Sequence, residues 1–137
     1  KNKIKNILLT SSKKNVLRGF HYQRKKPINQ IVTCIKGKIL DVVVDLRGNS
    51  INFGKTKTFI LSENHSKSLF VPGNFAHGYL SLGSENIIMY LQDEQYIKKY
   101  DSGIIWNDPT INFEWPVTKP IISEKDKNLS VLKDAKF

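Results

Sequence analysis

The strongest constraint on the fold of this chain is the spacing of its β-forming segments. Runs rich in valine, isoleucine, leucine and aromatic residues recur about every ten residues. Turn-forming residues separate them, among them Gly37, the run Arg47-Gly48-Asn49 and the pair Pro72-Gly73. This rhythm predicts an antiparallel sandwich or barrel. The predicted strands are residues 16–23, 28–35, 38–46, 56–61, 68–71, 78–82 and 87–92, and the only predicted helix is residues 125–133.

The clearest strand, residues 39–46, has two different faces. One face is wholly apolar, and the other carries Asp41 and Asp45 between apolar residues. These carboxylates fit the lining of a pocket inside a barrel or an exposed sheet face, and the strand alone favours neither. By the same alternation, His77 shares a face with Tyr79, and Tyr90 shares one with Gln92.

The composition suits one globular domain, residues 1–137, with a modest core, since 39% of the residues are hydrophobic. The apolar runs are too short to span a bilayer, and the N-terminus lacks the apolar stretch of a signal peptide. We therefore expect a cytoplasmic protein that does not enter a membrane. Cys34, the one cysteine, lies in an apolar run and is expected to be a small buried hydrophobe.

The net charge of +10 implies attraction to anions, and five lysines lie within the first fourteen residues. Nucleic acid, a small molecule with a pyrophosphate and a merely solvated surface are all compatible with this charge. Charge alone favours the solvated surface. A nucleic-acid-binding barrel would also interleave aromatic residues with these lysines, whereas the aromatics cluster around Tyr79 and Tyr90, so no nucleic-acid partner is expected.

Three segments carry more specific information. They are Arg18-Gly19-Phe20-His21, residues 71–79 with Pro72-Gly73 and His77, and Ser123-Glu124-Lys125-Asp126. Together they resemble the dTDP-4-dehydrorhamnose 3,5-epimerase family, cofactor-independent enzymes that invert stereocentres beside the ketone of a nucleotide-linked 4-keto sugar. The resemblance implies an all-β fold, a cupin-type jelly-roll barrel of antiparallel strands with a short C-terminal helix. It also implies a homodimer, a nucleotide-diphosphate sugar as substrate, no cofactor, and a role in surface polysaccharide synthesis.

Metal binding is the first alternative to consider, because Pro72-Gly73 followed by His77 is similar to a motif of metal-binding cupins. Those proteins commonly supply a His-x-His pair and a glutamate, whereas this chain reads His21-Tyr22-Gln23 with no glutamate nearby. His65, the remaining histidine, lies in a polar turn and is expected at the surface. The sequence therefore predicts no metal site.

Acid–base chemistry without a metal fits the residues better. A histidine near its ordinary pKa can remove a proton that a neighbouring carbonyl has acidified, and a tyrosine stays protonated at neutral pH and can donate. The resemblance implies that His21 is the base, that Asp126 orients it, and that Tyr90 is the acid on the opposite face of the enolate.

The resemblance also implies a set of binding residues. Arg18 matches an arginine that contacts the nucleotide phosphates, for which a planar guanidinium is suited. His77 matches a histidine that contacts the sugar, and Asp41 matches an acid that supports the site histidines. The remaining matches are Tyr96 near the sugar and nucleotide, Asp101 in place of a nucleotide-contacting glutamate, and Lys125 beside the dyad aspartate.

Two departures from the family separate the possible functions. Gln30 stands where the family has a lysine near the ketone, so the enolate would lose a charged partner. Asn6-Ile7-Leu8 replaces a Gln-Asp-Asn nucleotide-binding triplet, and the family's additional N-terminal strands have no counterpart in this sequence.

Besides inversion of carbon 3 and carbon 5, two alternatives remain. One is a single-site 3- or 5-epimerase of another sugar, such as a GDP-linked 4-keto-heptose, and the other is a sugar-binding cupin without activity.

Overall fold

Two antiparallel sheets packed face to face make up the fold, as described by a computed structural model for residues 3–137. The four-stranded sheet has the order β1-β8-β3-β6, and the five-stranded sheet has the order β5-β4-β7-β2-β9. The strands are β1 (Asn6–Lys13), β2 (Leu17–Gln23), β3 (Gln30–Lys36), β4 (Lys38–Asp45), β5 (Thr56–Ser62), β6 (Ser68–Val71), β7 (Phe75–Ser81), β8 (Glu85–Gln92) and β9 (Asp101–Gly103). Short 3-10 helices lie at Lys98–Tyr100 and Leu132–Asp134, and α1 spans Glu124–Lys127.

All seven predicted strands are present, with ends that differ by a few residues, and two strands were missed. β9 is a three-residue edge strand of sequence Asp-Ser-Gly, which has little β-forming character. β1 has an inverted alternation, because Thr10 and Ser12 point between the sheets while Ile7 and Leu9 point to solvent. A polar inner face among lysines does not match the usual pattern of a half-buried strand. Lys1, one of the five N-terminal lysines, lies outside the described residues.

The predicted helix at residues 125–133 is wrong in length, since α1 contains a single turn. Ser123 caps its start by accepting a hydrogen bond from the Asp126 N–H at 3.1 Å. After the turn, Ser130 forms a bridge with Ile104, and the Leu132 N–H donates to the Asp108 carboxylate at 2.7 Å. These tertiary partners replace the backbone bonds that a longer helix would have made. No helix in residues 3–137 is long and apolar enough to cross a membrane.

Both faces of β4 are buried, which answers the question that the strand left open. Asp41 is 0% exposed and lies on the face turned to the other sheet, where Ile39 and Val43 join the apolar core between the sheets. The opposite face, with Val42 and Val44, is covered by the chain after β9. Asp45, at the end of the strand, is paired with Arg47, whose hydrogen bond lowers its pKa against the opposing effect of burial.

The two sheets differ in what covers their outer faces. The C-terminal segment lays Trp115 and Leu132 against the five-stranded sheet. The outer face of the four-stranded sheet has no such cover within the described residues. It exposes a group of apolar side chains in which Ile7 is 64%, Leu9 59% and Phe70 57% exposed. We call this surface, with the neighbouring outward-facing Ile31, Ile35, Ile87, Met89 and Leu91, the outer apolar face.

Candidate active site

A cavity of about 490 Å³ opens between the two sheets. Its size lies in the range of small-molecule sites. Nine of the ten residues singled out in the sequence line it: Arg18, His21, Gln30, His77, Tyr90, Tyr96, Asp101, Lys125 and Asp126. The tenth, Asp41, lies behind the cavity wall. The fold therefore brings together residues from five strands, α1 and the chain before β9.

Two glycines, Gly19 in the Arg18-Gly19-Phe20-His21 motif and Gly78 on β7, determine the position of His21. Gly19 has φ +108°, and a Cβ there would lie 2.6 Å from the Gly78 Cα on β7. A Cβ on Gly78 would in turn lie 2.5 Å from the Arg18 carbonyl oxygen. The pairing register of β2 and β7 shifts between Arg18 and His21. The close approach of the two backbones thus sets where the His21 side chain enters the cavity.

His21 and Asp126 form a pair at one side of the cavity. The His21 Nε2 lies 3.1 Å from Asp126 Oδ1, and the Gly19 N–H donates to Asp126 Oδ2 at 2.9 Å. Burial alone would raise the pKa of Asp126, but the hydrogen bond and charge of His21, with the Gly19 N–H and the Ser123 side chain, outweigh it and lower the pKa. Asp126 is therefore a carboxylate at neutral pH. The His21 Nδ1 is buried and has no hydrogen-bond partner within residues 3–137.

Tyr90 reaches the same cavity from the opposite sheet. It lies on β8, whereas His21 lies on β2, and it is 6% exposed. Burial raises its pKa well above the ordinary value, and the nearby Tyr79 and Asp41 add to the shift. The phenol is therefore protonated at neutral pH. Its ring packs edge-on against His77 with the ring centroids 5.9 Å apart.

Asp41 does not line the cavity, but it contacts His77, which does. The His77 Nδ1 lies 3.3 Å from Asp41 Oδ2, and both side chains are buried. Asp41 Oδ1 has no hydrogen-bond partner in the part of the chain that the structure describes. This geometry suits a residue that orients His77, which faces the cavity.

Charged and phenolic groups line one edge of the cavity. Lys125 forms an ion pair with Asp101, and the Tyr96 hydroxyl donates to Asp101 Oδ2 at 2.9 Å. Burial alone would lower the pKa of Lys125, but Asp101 outweighs it and raises the pKa. Arg18 is exposed and donates a long hydrogen bond of 3.4 Å to the Ser11 carbonyl. Arg18 can therefore turn toward an anionic ligand, whereas Lys125 is held by Asp101.

Several cavity residues were missed by sequence reasoning. Thr10 on the unpredicted β1 lines the cavity and hydrogen-bonds the Tyr79 hydroxyl at 3.3 Å. Ser12, outside the cavity lining, hydrogen-bonds the same hydroxyl at 3.2 Å. Asn6 and Gln92 also line the cavity. A signal for Gln92 was present, because alternation places it on the same face of β8 as Tyr90. A signal for Asn6 was present as well, because it stands at the first position of the family's Gln-Asp-Asn triplet, but it was noted only as a departure from the family.

The described residues contain no group of three or more histidine, cysteine, aspartate or glutamate side chains that could hold a metal ion. Cys34 is free and buried, and His65 is exposed, both as expected. The fold and the cavity define a class of protein: a two-sheet β-barrel with a small-molecule cavity between its sheets, lined by histidine, tyrosine and carboxylate side chains.

The comparison with known proteins gives the family. The sequence model of the family described as dTDP-4-dehydrorhamnose 3,5-epimerase matches residues 1–134. A dTDP-4-dehydrorhamnose 3,5-epimerase from Methanothermobacter thermautotrophicus is 46% identical over 126 residues, which cover 90% of this chain and 68% of that protein. The chain therefore belongs to the dTDP-4-dehydrorhamnose 3,5-epimerase family, whose members are isomerases.

Solved structures agree with this assignment. A dTDP-4-dehydrorhamnose 3,5-epimerase from Bacillus anthracis with TDP and pyrophosphate bound aligns with a TM-score of 0.92 and 37% identity, over 96% of this chain and 76% of that one. A dTDP-6-deoxy-D-glucose-3,5-epimerase from Legionella pneumophila in complex with dTDP-4-keto-L-rhamnose aligns with a TM-score of 0.93 and 29% identity, over 97% and 71%. The predicted cupin-type jelly roll is confirmed by these relatives.

Proposed function

We propose that residues 1–137 form one epimerase domain that inverts carbon 3, carbon 5 or both, beside the ketone of a dTDP-linked 4-keto-6-deoxy sugar, for surface polysaccharide synthesis. The observation that carries the proposal is the arrangement of His21 with Asp126 and Tyr90. They enter one cavity from opposite sheets, as an inversion requires. The ligand in the Legionella structure supports the substrate class.

His21 is the base in this proposal. Its ring lines the cavity, and Asp126 Oδ1, 3.1 Å from Nε2, orients it. The proton beside the ketone moves to the neutral His21 imidazole, and the electron pair of the broken C–H bond moves onto the ketone oxygen to give an enolate. Asp126 then stabilises the imidazolium without taking the proton itself.

Tyr90 is the acid on the other face of the enolate. Its raised pKa keeps the phenolic proton in place until a carbanion-like carbon approaches. The enolate reprotonates at carbon from the Tyr90 hydroxyl, which leaves a phenolate. The imidazolium and phenolate return to their starting states by losing and gaining one proton. Delivery from the opposite side inverts the stereocentre.

The charged edge of the cavity suits a nucleotide diphosphate. Arg18 offers a planar fork to phosphate oxygens, and Lys125 adds a second cation beside Asp126. Tyr96 and Asp101 supply a hydroxyl and a carboxylate next to it. The TDP and pyrophosphate in the Bacillus anthracis structure support this role. His77, held by Asp41, faces the sugar in this arrangement.

One observation favours a second candidate, a single-site 3- or 5-epimerase acting on another sugar, such as a GDP-linked 4-keto-heptose. Gln30 lines the cavity where the family carries a lysine, and a neutral amide stabilises an enolate less than an ammonium does. A slower enolate step would allow one inversion before the product leaves. The position of the exchanged proton separates the two candidates.

We also propose that two copies associate through the outer apolar face and that the dimer acts in the cytoplasm. Large exposed apolar patches on one side of a sheet mark interaction surfaces. A symmetric dimer would bury the same patch on both copies. The single cysteine, which cannot form an internal disulfide, fits a reducing compartment.

To test the proposal, the protein is incubated with dTDP- and GDP-linked 4-keto sugars in deuterated water, and the positions of the incorporated deuterium are located by NMR. We expect deuterium beside the ketone, and a loss in rate of about a hundredfold to ten-thousandfold for His21→Asn. His65→Asn, which changes an exposed histidine in a turn, is the matched control and should leave the rate unchanged. Wild-type binding without exchange would favour the non-catalytic cupin. Exchange that survives in the His21 variant would place the base elsewhere.

A further inference from the structure

Three side-chain amides form a chain across the four-stranded sheet beside Tyr90. Asn6 on β1 donates from Nδ2 to Gln92 Oε1 on β8 at 2.7 Å. Gln92 donates from Nε2 to Gln30 Oε1 on β3 at 3.1 Å. The backbone register explains the contact, because Gln92 is paired with Asn6 on one side and with Gln30 on the other. All three residues line the cavity.

The chain of amides has a direction. Gln92 is buried, with 8% of its surface exposed, and it uses its oxygen for Asn6 and its nitrogen for Gln30. Gln30 therefore accepts with its oxygen and turns its Nε2 away from Gln92. Within residues 3–137 this Nε2 donates no hydrogen bond, and Gln30 lines the cavity. Reversal of the chain would instead present the Gln30 oxygen to a ligand.

We propose that Gln92 is a positioning residue, which holds Gln30 so that its Nε2 donates to the ketone oxygen of the substrate. This inference rests on the proposed epimerase function. Negative charge develops on that oxygen when the enolate forms, so a fixed donor stabilises the transition state and a carbonyl oxygen facing it would destabilise it. A free glutamine could present either end, whereas in the observed arrangement the Gln92 Nε2 donates to the Gln30 oxygen and leaves the Gln30 Nε2 for the substrate.

The amide chain accounts for how a glutamine at position 30 could replace the family's lysine as a hydrogen-bond donor. An ammonium group donates in every rotamer, whereas an amide donates from one end only. A glutamine at position 30 can serve as a donor only if a neighbour fixes its orientation. Gln92 and Asn6 supply this neighbour, and their amides bring no charge that would compete for the nucleotide phosphates.

The first test reverses the chain. Gln92→Glu keeps the shape of the side chain, but a carboxylate only accepts, so Gln30 must turn its Nε2 toward position 92. We expect kcat for deuterium exchange to fall on the order of a hundredfold, the loss typical of one oxyanion donor, with little change in KM. Asn6→Asp is a second variant that reverses the chain from its far end. Gln95→Glu, the same change at an exposed position, should leave kcat unchanged.

A double-mutant cycle separates positioning from a general charge effect. If Gln92 acts through Gln30, Gln92→Glu should have almost no further effect on kcat in a Gln30→Leu protein. Losses that multiply in the double variant would overturn the proposal. Thermal unfolding of each variant shows whether the fold survives, and Gln92→Leu, which removes the contact without adding charge, replaces Gln92→Glu if it does not.

The orientation of the Gln30 amide can also be tested without a substrate. This test holds even if the wild-type protein catalyses no deuterium exchange into the sugar and the proposed function is wrong. Side-chain amide protons are followed by ¹⁵N NMR, with each signal assigned by its loss in the matching variant. In wild type, we expect slow solvent exchange of the Gln92 side-chain amide protons and fast exchange of those of Gln30. Gln92→Glu should slow the solvent exchange of the Gln30 side-chain amide protons. Slow exchange at Gln30 in wild type would show that the chain runs the other way and overturn the inference.

Discussion

Burial acts on Asp126, which orients the proposed base, and on Tyr90, the proposed acid, but their neighbours shift the two pKa values in opposite senses. His21 and the Gly19 N–H outweigh the effect of burial and lower the pKa of Asp126, whereas the charges near Tyr90 add to burial and raise its pKa. One group is thereby an anion and the other a neutral acid at the same pH. A site that transfers protons on two faces of a substrate needs this division.

Removal of the phenolic hydroxyl should separate the two halves of the reaction. In Tyr90→Phe, His21 can still take the proton and return it to the same face. We therefore expect deuterium wash-in with retained configuration to continue, while net inversion falls by about a hundredfold or more. NMR of the sugar measures both. Equal loss of wash-in and inversion would indicate a packing role for Tyr90, and equal retention would place the acid elsewhere, with Tyr96 the next candidate.

The pairing of Asp126 should also be visible in the pH dependence of stability. Because its folded pKa is lowered, the unfolded chain binds a proton first as the pH falls, so the stabilisation is present above about pH 4 and is lost below it. At pH 7, Asp126→Asn should unfold with a free energy about 1–3 kcal/mol lower than wild type. Urea unfolding should show this gap shrinking between pH 5 and pH 2, roughly the window of carboxylate titration. A gap that stays constant with pH would contradict the pairing.

At the scale of strands, the close contact of β2 with β7 determines the position of the motif. A methyl group on Gly78 would meet the Arg18 carbonyl oxygen at 2.5 Å and force the two backbones apart. Gly78→Ala should therefore lower the unfolding free energy by about 1–3 kcal/mol, as overpacking does, and slow exchange by displacing His21. Gly48→Ala is the control, because nothing lies within 4 Å of the added methyl. A Gly78 variant as stable and active as the Gly48 variant would show that the strands can separate at no cost.

Strand prediction succeeded where the apolar residues of a strand are the buried ones. It failed for β1, where polar residues face inward and apolar residues face solvent. β8 alternates between buried and partly buried residues as strands usually do, and it was found. β1 was missed because it turns its polar side to the cavity and its apolar side to solvent. The end of α1 was misplaced because Asp108, far along the chain, takes the Leu132 N–H. Neither cause can be seen in the local sequence.

For the whole molecule, the outer apolar face predicts association. The chain has a mass of 15.7 kDa, and we expect sedimentation equilibrium to give twice that value. Leu9→Lys puts a charge on the outer apolar face and should weaken association at least about tenfold, since an unpaired buried charge costs several kcal/mol. Ile51→Lys changes an isoleucine that is 91% exposed in a loop and should leave the mass unchanged. A monomeric wild type would rule out the dimer.

The sequence by itself determined the all-β class, most of the strands and the residue types of the site. Alternation is a local property, since side chains two apart share a face whatever the rest of the chain does. The three motifs carried the resemblance that pointed to His21, Asp126 and Tyr90.

Only the tertiary structure decided which groups meet. The Gly19 N–H and Asp126 are 107 residues apart in the chain, and they meet because β2 and α1 pack at the same end of the barrel. Asn6, Gln30 and Gln92 form one chain of amides because the registers of three strands coincide. Register depends on the summed pairing and burial of whole strands, so no local pattern specifies it. The same packing buries the outer side of one sheet and leaves the apolar outer side of the other exposed.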